Sequence, residues 1–324
     1  MSFFPPVMAF VVTCLVIVLI LYSRLKQAIQ DIPNERSLHS KAVPRTGGIG
    51  LLIGVFVGWS FIVSVLPWWL LVPLIFLFAI SILDDIYSLP VKQRLLAHMG
   101  AAVVLLLGGG MFDTYGIVAT VAIFFFVVWM TNLYNFMDGS DGLAGGMALF
   151  GFASYGIAAW MTQEYALASA NFVIAAAALA FLLFNFHPAK IFMGDAGSIP
   201  LGFLAAAMGL WGVQLQCWAA WFPLLVFSPF IVDASVTLFK RALRGAKITE
   251  AHRDHYYQHA IQLGAGHRNV ALFEYALMLM CGLLALWCKE QSFPWVMLLW
   301  CVSFYALCMY LLDARWHKKQ REAA

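Results

Sequence analysis

Eleven apolar runs, each close to the roughly 20 residues that cross a bilayer's hydrocarbon core, divide this chain, and no water-soluble fold can bury them all. Their approximate cores are 4–23, 47–66, 68–83, 95–110, 116–132, 143–161, 166–184, 198–215, 217–239, 270–288 and 293–312, separated by charges, Pro and Gly. Only 11% of the residues are charged and 63% are hydrophobic, whereas an ordinary soluble domain runs at roughly 25% charged. The expected fold is all-α: one polytopic membrane helix bundle over residues 1–324, with no internal repeat, low-complexity tract or separate soluble domain.

Met1 to Ser23 carries no charge, and Arg24 and Lys26 follow the apolar run instead of preceding it. A signal peptide needs the opposite order, so this run reads as a first transmembrane helix with its N-terminus on the periplasmic side. An odd number of spans then puts the C-terminus in the cytoplasm. The basic residues agree: of 19 Lys and Arg, all but Lys289 fall on the inferred cytoplasmic side, the asymmetry of the positive-inside rule. The external connections are short, so function is expected at the inner face. The six cysteines form no CxxC pair and lie in or beside apolar runs. They read as small buried hydrophobes, not as a zinc or disulfide framework.

Five carboxylates stand at the cytoplasmic ends of spans in turn-forming contexts. They are Asp84 and Asp85 in SILDDIYSLP, Asp138 and Asp141 in NLYNFMDGSDGLAGG, and Asp195 in FMGDAGS. An ionised Asp at a membrane helix centre costs roughly 2.5–3.5 kcal/mol on insertion scales; at the interface the cost falls and water can reach the group. Converging carboxylates repel unless something positive neutralises them, and Mg²⁺, with one or two carboxylates plus substrate phosphates, is the natural candidate. For each Asp alone, a solvated turn or cap is the competing reading. The first inner loop carries Asn34, Arg36, His39, Lys41 and Arg45 just before Gly47-Gly48. It reads either as a phosphate clamp or as a basic loop that only sets topology. The last inner loop, with His252, Arg253, His255, His259 and His267, reads as an anion site, with a zinc pair and a solvated basic face as alternatives.

PNERSLHSKAVPRTGGIG, the LDD pair, NFMDGSDGLAGG, NFHPAKIFMGDAGS and AHRDHYYQ, spread over nearly the whole chain, resemble the polyprenyl-phosphate N-acetylhexosamine-1-phosphate transferase family. Within it the chain is most similar to the O-antigen-initiating members, because AHRDH stands where first-step peptidoglycan enzymes usually carry three consecutive His. The resemblance implies transfer of N-acetylhexosamine-1-phosphate from a UDP-sugar to undecaprenyl phosphate, releasing UMP, with Mg²⁺ (or Mn²⁺) required, at the bacterial inner membrane. It implies metal binding by Asp195 and Asp84, and a catalytic group of Asp84, Asp85 and Asp138 supported by Asn135. It also implies a uridine pocket of Asn185, Phe192 and Asp141, and phosphate or sugar contacts from Lys41, His252, Arg253 and His255. Partners expected are undecaprenyl phosphate, the UDP-N-acetylhexosamine and membrane lipids, with no nucleic acid. The small residues around Gly145-Gly146 suit packing either in a homodimer or within one subunit. Rival readings are a transporter with an inner-face acidic site and a first-step peptidoglycan lipid transferase. A CDP-alcohol phosphotransferase is disfavoured because DGSDGLAGG has no Arg after its first Asp-Gly.

Overall fold

The computed structural model describes residues 2–23, 29–31, 42–247, 252–290 and 295–323. In chain order the elements are α1 (Phe4–Tyr22), the paired two-residue strands β1 (Gln30–Asp31) and β2 (Val43–Pro44), α2 (Gly47–Ser60), α3 (Trp68–Tyr87), α4 (Val91–Gly108), α5 (Met111–Phe136), α6 (Leu143–Met161) and α7 (Tyr165–Asn185). There follow α8 (Asp195–Gln214), α9 (Trp221–Val226), α10 (Ser228–Leu243), α11 (Tyr256–Ala260), a single π turn (Ile261–Ala265), α12 (Gly266–Cys288) and α13 (Trp295–Ala323). β1 and β2 pair antiparallel. The six cysteines are all free.

Among the described residues nine helical stretches are long and apolar enough to span a membrane, the last-but-one running from Tyr256 through Cys288. The other two of the eleven expected spans take different forms. α2 stops after 14 residues and gives way to a short 3₁₀ turn, Val63–Val65. The run 217–239 is divided between α9 and α10. Pro229 lacks the N–H that would bond the Leu225 carbonyl four residues back, and the Ser228 hydroxyl donates to that carbonyl instead, at 2.7 Å.

α8 is the axis of the bundle: it is buried nearly all round and packs against α2, α3, α5 and α6. Its residues are small or apolar on every face, DAGSIPLGFLAAAMGLWGVQ, as a helix with no solvent side must be. Close approach depends on missing side chains. A Cβ on Gly48 would run into the backbone of Gly197 and the carbonyl of Met193, and one on Gly54 into the Thr13 hydroxyl of α1. The Gly145-Gly146 pair packs inside the subunit: Gly145 meets Phe181 and Leu182, and Gly146 meets the Tyr275 ring of α12. That favours the intrasubunit alternative for these two glycines. The C-terminal end of α3, the N-terminal end of α4, the C-terminal end of α5 and the N-terminal end of α8 meet at one end of the bundle, where the acidic residues gather.

Gly48→Ala is expected to lower stability by roughly 1–3 kcal/mol through overpacking against backbone. Gly100→Ala, whose Cβ would meet nothing within 4 Å, is expected to stay within about 0.5 kcal/mol of the parent. Thermal unfolding in detergent compares the two.

Candidate functional site

Two of the five carboxylates do structural work visible in their bonds. Asp85 is buried, and its two oxygens accept the N–H groups of Asp195 (3.2 Å) and Ala196 (2.9 Å). It thus caps α8 from the end of α3, supplying the acceptor and negative charge that a helix N-terminus wants. Arg45 covers it, with Nε 3.6 Å from Oδ1 and an N–H donated to the Asp85 carbonyl at 2.8 Å. Gly194, in the preceding turn at φ +72°, sits where a Cβ would strike the Arg45 carbonyl, so this approach admits glycine alone. Asp141 is the second: Oδ2 lies 2.6 Å from His187 Nδ1 and accepts the Ala189 N–H at 3.1 Å, fixing the loop between α7 and α8.

The others face one another. Arg94, at the start of α4, reaches Asp84 (3.3 Å) and Asp195 (3.5 Å) with the same guanidinium nitrogen. Asp84 also accepts the Leu89 N–H at 2.7 Å, which leaves Asp195 the more exposed of the two. Asp138, in the turn after α5, is pushed well above the usual carboxylate range by burial first, then by the charges of Asp195, Asp85 and Asp31. Among the described residues no three His, Cys, Asp or Glu side chains close on one point as a complete metal cage.

Two cavities meet here. The first, about 160 Å³, is polar and is lined by Asp138, Asp141, Asn185, Phe192, Asp195 and Arg45 among others. The second, about 580 Å³, is a mainly apolar groove lined by Leu95, Phe125, Val128, Trp129, Phe136 and Leu238, with Arg94, His98, His252 and His255 as polar groups. Phe125 and Leu95 are exposed on the outer surface of the bundle, where lipid lies. Asn135 lines both cavities and is held by the Ser198 hydroxyl of α8 at 2.8 Å.

The expected site residues therefore divide. Asp85, Asn135, Asp138, Asp141, Asn185, Phe192 and Asp195 line the polar cavity. Asn185 also accepts the Gly142 N–H and donates to the Ile191 carbonyl, both at 2.9 Å, and so joins two loops. His252 and His255 line the groove, 4.9 Å apart between ring centres. Burial first, then His255 and Arg241, push His252 down to about 4. Arg253 lines neither of these cavities. Lys41, with Asn34, Arg36 and His39, lies outside the described residues. The paired glycines after Arg45 do not cradle a phosphate: their N–H groups go to the carbonyls of Phe192 (2.9 Å) and Met193 (2.8 Å).

Sequence reasoning missed four residues. Arg94 counts in the sequence only as one of the inner-face basic residues. His187 stacks on His267, whose Nδ1 is 2.9 Å from the Ser140 hydroxyl, at the rim of the polar cavity. Asp233 was hidden inside an apolar run. Asp31 reaches the cavity through the β1–β2 pairing. The one available signal was Asp233 itself, since an ionisable residue inside a span is a functional hypothesis by default.

Fold and site together define a polytopic membrane protein with an acid-lined polar cavity and an apolar groove that share Asn135 at one end of the bundle. A family model described as glycosyl transferase family 4 matches residues 67–213. A probable undecaprenyl-phosphate N-acetylglucosaminyl 1-phosphate transferase of Bacillus subtilis (strain 168) is 28% identical over 88% of this chain and 86% of its own length. An undecaprenyl-phosphate alpha-N-acetylglucosaminyl 1-phosphate transferase of Escherichia coli O157:H7 is 26% identical over 90% and 85%. A phospho-N-acetylmuramoyl-pentapeptide-transferase of Listeria monocytogenes serotype 4b is 30% identical over 65% and 73%. The chain belongs to glycosyl transferase family 4, and it is a multi-pass protein of the bacterial inner membrane.

Because folding raises the Asp138 pKa, the folded state binds this proton more tightly than the unfolded one, and stability is lost as pH rises above the ordinary carboxylate range. Asp138→Asn is therefore expected to be at least as stable as the parent at neutral pH. Asp85→Ala, which uncaps α8, is expected to lose roughly 0.5–2 kcal/mol. Unfolding midpoints of the purified variants check both signs.

Proposed function

We propose that this protein transfers N-acetylhexosamine-1-phosphate from a UDP-sugar to undecaprenyl phosphate, giving undecaprenyl-diphospho-N-acetylhexosamine and UMP, and so starts an O-antigen or related envelope polysaccharide. The observation that carries this reading is the junction at Asn135 of a polar cavity with an apolar, lipid-facing groove. One substrate comes from the cytosol and the other from the bilayer, so their reacting groups can meet only at such a junction. The two N-acetylglucosaminyl transferases align over 88% and 90% of the chain, against 65% for the Listeria relative that acts on a muramoyl-pentapeptide. That supports the simpler sugar donor.

Asp84 and Asp195 are the residues that would hold Mg²⁺. Two oxygen ligands, with the rest from substrate phosphates and water, suit this hard cation, and a shared Arg94 is the sole cation paired with both carboxylates among the described residues. When bound, the metal supplies neutralisation of the donor's diphosphate charge. Asp85 keeps the role of holding α8, and Arg94 adds positive charge toward the acceptor phosphate. Asn135 and Asp138 line the point of transfer. There an oxygen of the lipid phosphate attacks the sugar-bearing phosphorus in line; the new P–O bond forms as the bond to UMP breaks, and UMP leaves with the electron pair. Phe192 offers a ring for the uracil, Asp141 and Asn185 hold the pocket's loops, and His252 and His255 face the acceptor end of the groove. Arg253 and Lys41 remain in this reading as contributors of positive charge to phosphate or sugar.

Purified protein given undecaprenyl phosphate and a panel of UDP-N-acetylhexosamines is expected to release UMP only with lipid and Mg²⁺ present. Release without lipid, or none with any donor, overturns the assignment. Asp195→Asn is expected to abolish release while the protein stays folded. Phe192→Ala is expected to raise KM for the UDP-sugar far more than for the lipid, and Leu95→Trp, which narrows the groove, to do the reverse.

A further inference from the structure

Asp233 lies within α10 as the one charged residue of the run 217–239, and nothing in the transfer chemistry requires it there. It is buried, and its carboxylate has four polar contacts. Oδ1 accepts the Tyr256 N–H at 2.9 Å and the Thr237 hydroxyl at 3.1 Å, and Oδ2 accepts the Tyr257 N–H at 3.0 Å. These contacts hold the first turn of α11. The remaining contact is different in kind: Oδ1 stands 3.2 Å from Nδ1 of His255. A carboxylate that accepts on that side calls for the hydrogen on His255 Nδ1.

His255 is itself buried, with the rings of Phe136 (ring centres 6.4 Å) and Tyr257 (5.8 Å) roughly parallel to its own. The Gln258 side chain accepts the His255 backbone N–H at 3.2 Å. With Nδ1 directed at α10, Nε2 is the nitrogen His255 can offer to the groove it lines. We propose that Asp233 is a positioning residue for the transferase site: it fixes the proton on His255 Nδ1 and so presents Nε2 to the phosphate end of the lipid acceptor in the groove. The arrangement is that of a carboxylate orienting a working imidazole, where the carboxylate sets tautomer and ring direction without touching the substrate. It rests on the transferase reading above and adds to it a residue from an element outside the polar cavity.

Replacement of such an orienting carboxylate typically costs about 10–100-fold. Asp233→Asn, which is isosteric but can donate to Nδ1 and move the proton to Nε2, is expected to cut kcat for UMP release by that factor, with KM for the UDP-sugar unchanged. His255→Gln is expected to cut activity comparably, and the double variant to be no worse than His255→Gln alone. Losses that multiply in the double variant, with unfolding midpoints falling in step, would show that Asp233 only caps α11 and would overturn the proposal. A readout on the parent protein is independent of whether the Asp233 variant folds. In ¹⁵N-histidine-labelled protein, with the His255 signals assigned by their loss in His255→Gln, Nδ1 is expected to be the protonated nitrogen; protonation at Nε2 alone contradicts it. Failure of the parent to release UMP at all would count against the transferase reading, whereas an active parent with the wrong tautomer or multiplicative losses counts against Asp233.

Discussion

The carboxylate of Asp85 on the first two N–H groups of α8 is the contact from which the rest of the site follows. It joins the end of one helix to the start of the bundle's central helix, and the next residue back, Asp84, is thereby delivered to the same Arg94 that reaches Asp195. A buried carboxylate without partners costs several kcal/mol. Here two N–H donors and Arg45 supply them, so the charge is tolerated at the membrane surface and the geometry is fixed by it. Gly194 has to be glycine because the same join presses the Arg45 backbone against it. Asp233 repeats the device at α11, where a carboxylate from one helix receives the first N–H groups of another and a functional ring sits alongside.

Much of this was legible in the sequence. Hydropathy gave the helices, because length and apolar content are one-dimensional properties that the bilayer reads directly. Acidic residues recurring at alternate span ends announced a site at one face, and most of those named do line one cavity. The division of labour was not legible. Asp84 and Asp85 are neighbours of identical type, and which one caps α8 depends on an N–H 110 positions away. Asn185 and Asp141 carry the same motif signal as a ligand-contacting residue, yet their hydrogen bonds run to loop backbone and, for Asp141, to His187. Arg94 counts in a sequence as one more inside charge until folding sets it between two acids. The run 217–239 reads as one span by hydropathy; the break lies in a missing proline N–H and a serine placed to compensate.

The energetics of the site are those of a protein holding like charges near one another for a purpose. Asp138 is driven toward its neutral form by burial and three neighbouring carboxylates, a configuration that lowers stability and that a bound cation with substrate phosphates would relieve. Strongly perturbed carboxylates in a cleft are a functional signature for this reason. In the proposed reaction an isoprenoid chain would gain about 0.8 kcal/mol per buried CH₂ only on leaving water; arriving from the bilayer it would not, so the groove would aim the phosphate and not extract the lipid.

The assignment of Asp84 and Asp195 to the metal, and of Asp85 to the frame, is tested most directly by electron paramagnetic resonance of Mn²⁺ bound to the detergent-solubilised protein with UMP present. The expected result is loss of the bound-Mn²⁺ signal in Asp84→Asn and Asp195→Asn, with the signal retained in Asp85→Asn that has remained folded. A bound signal that survives Asp195→Asn, or that vanishes in folded Asp85→Asn, would contradict this division of the acids.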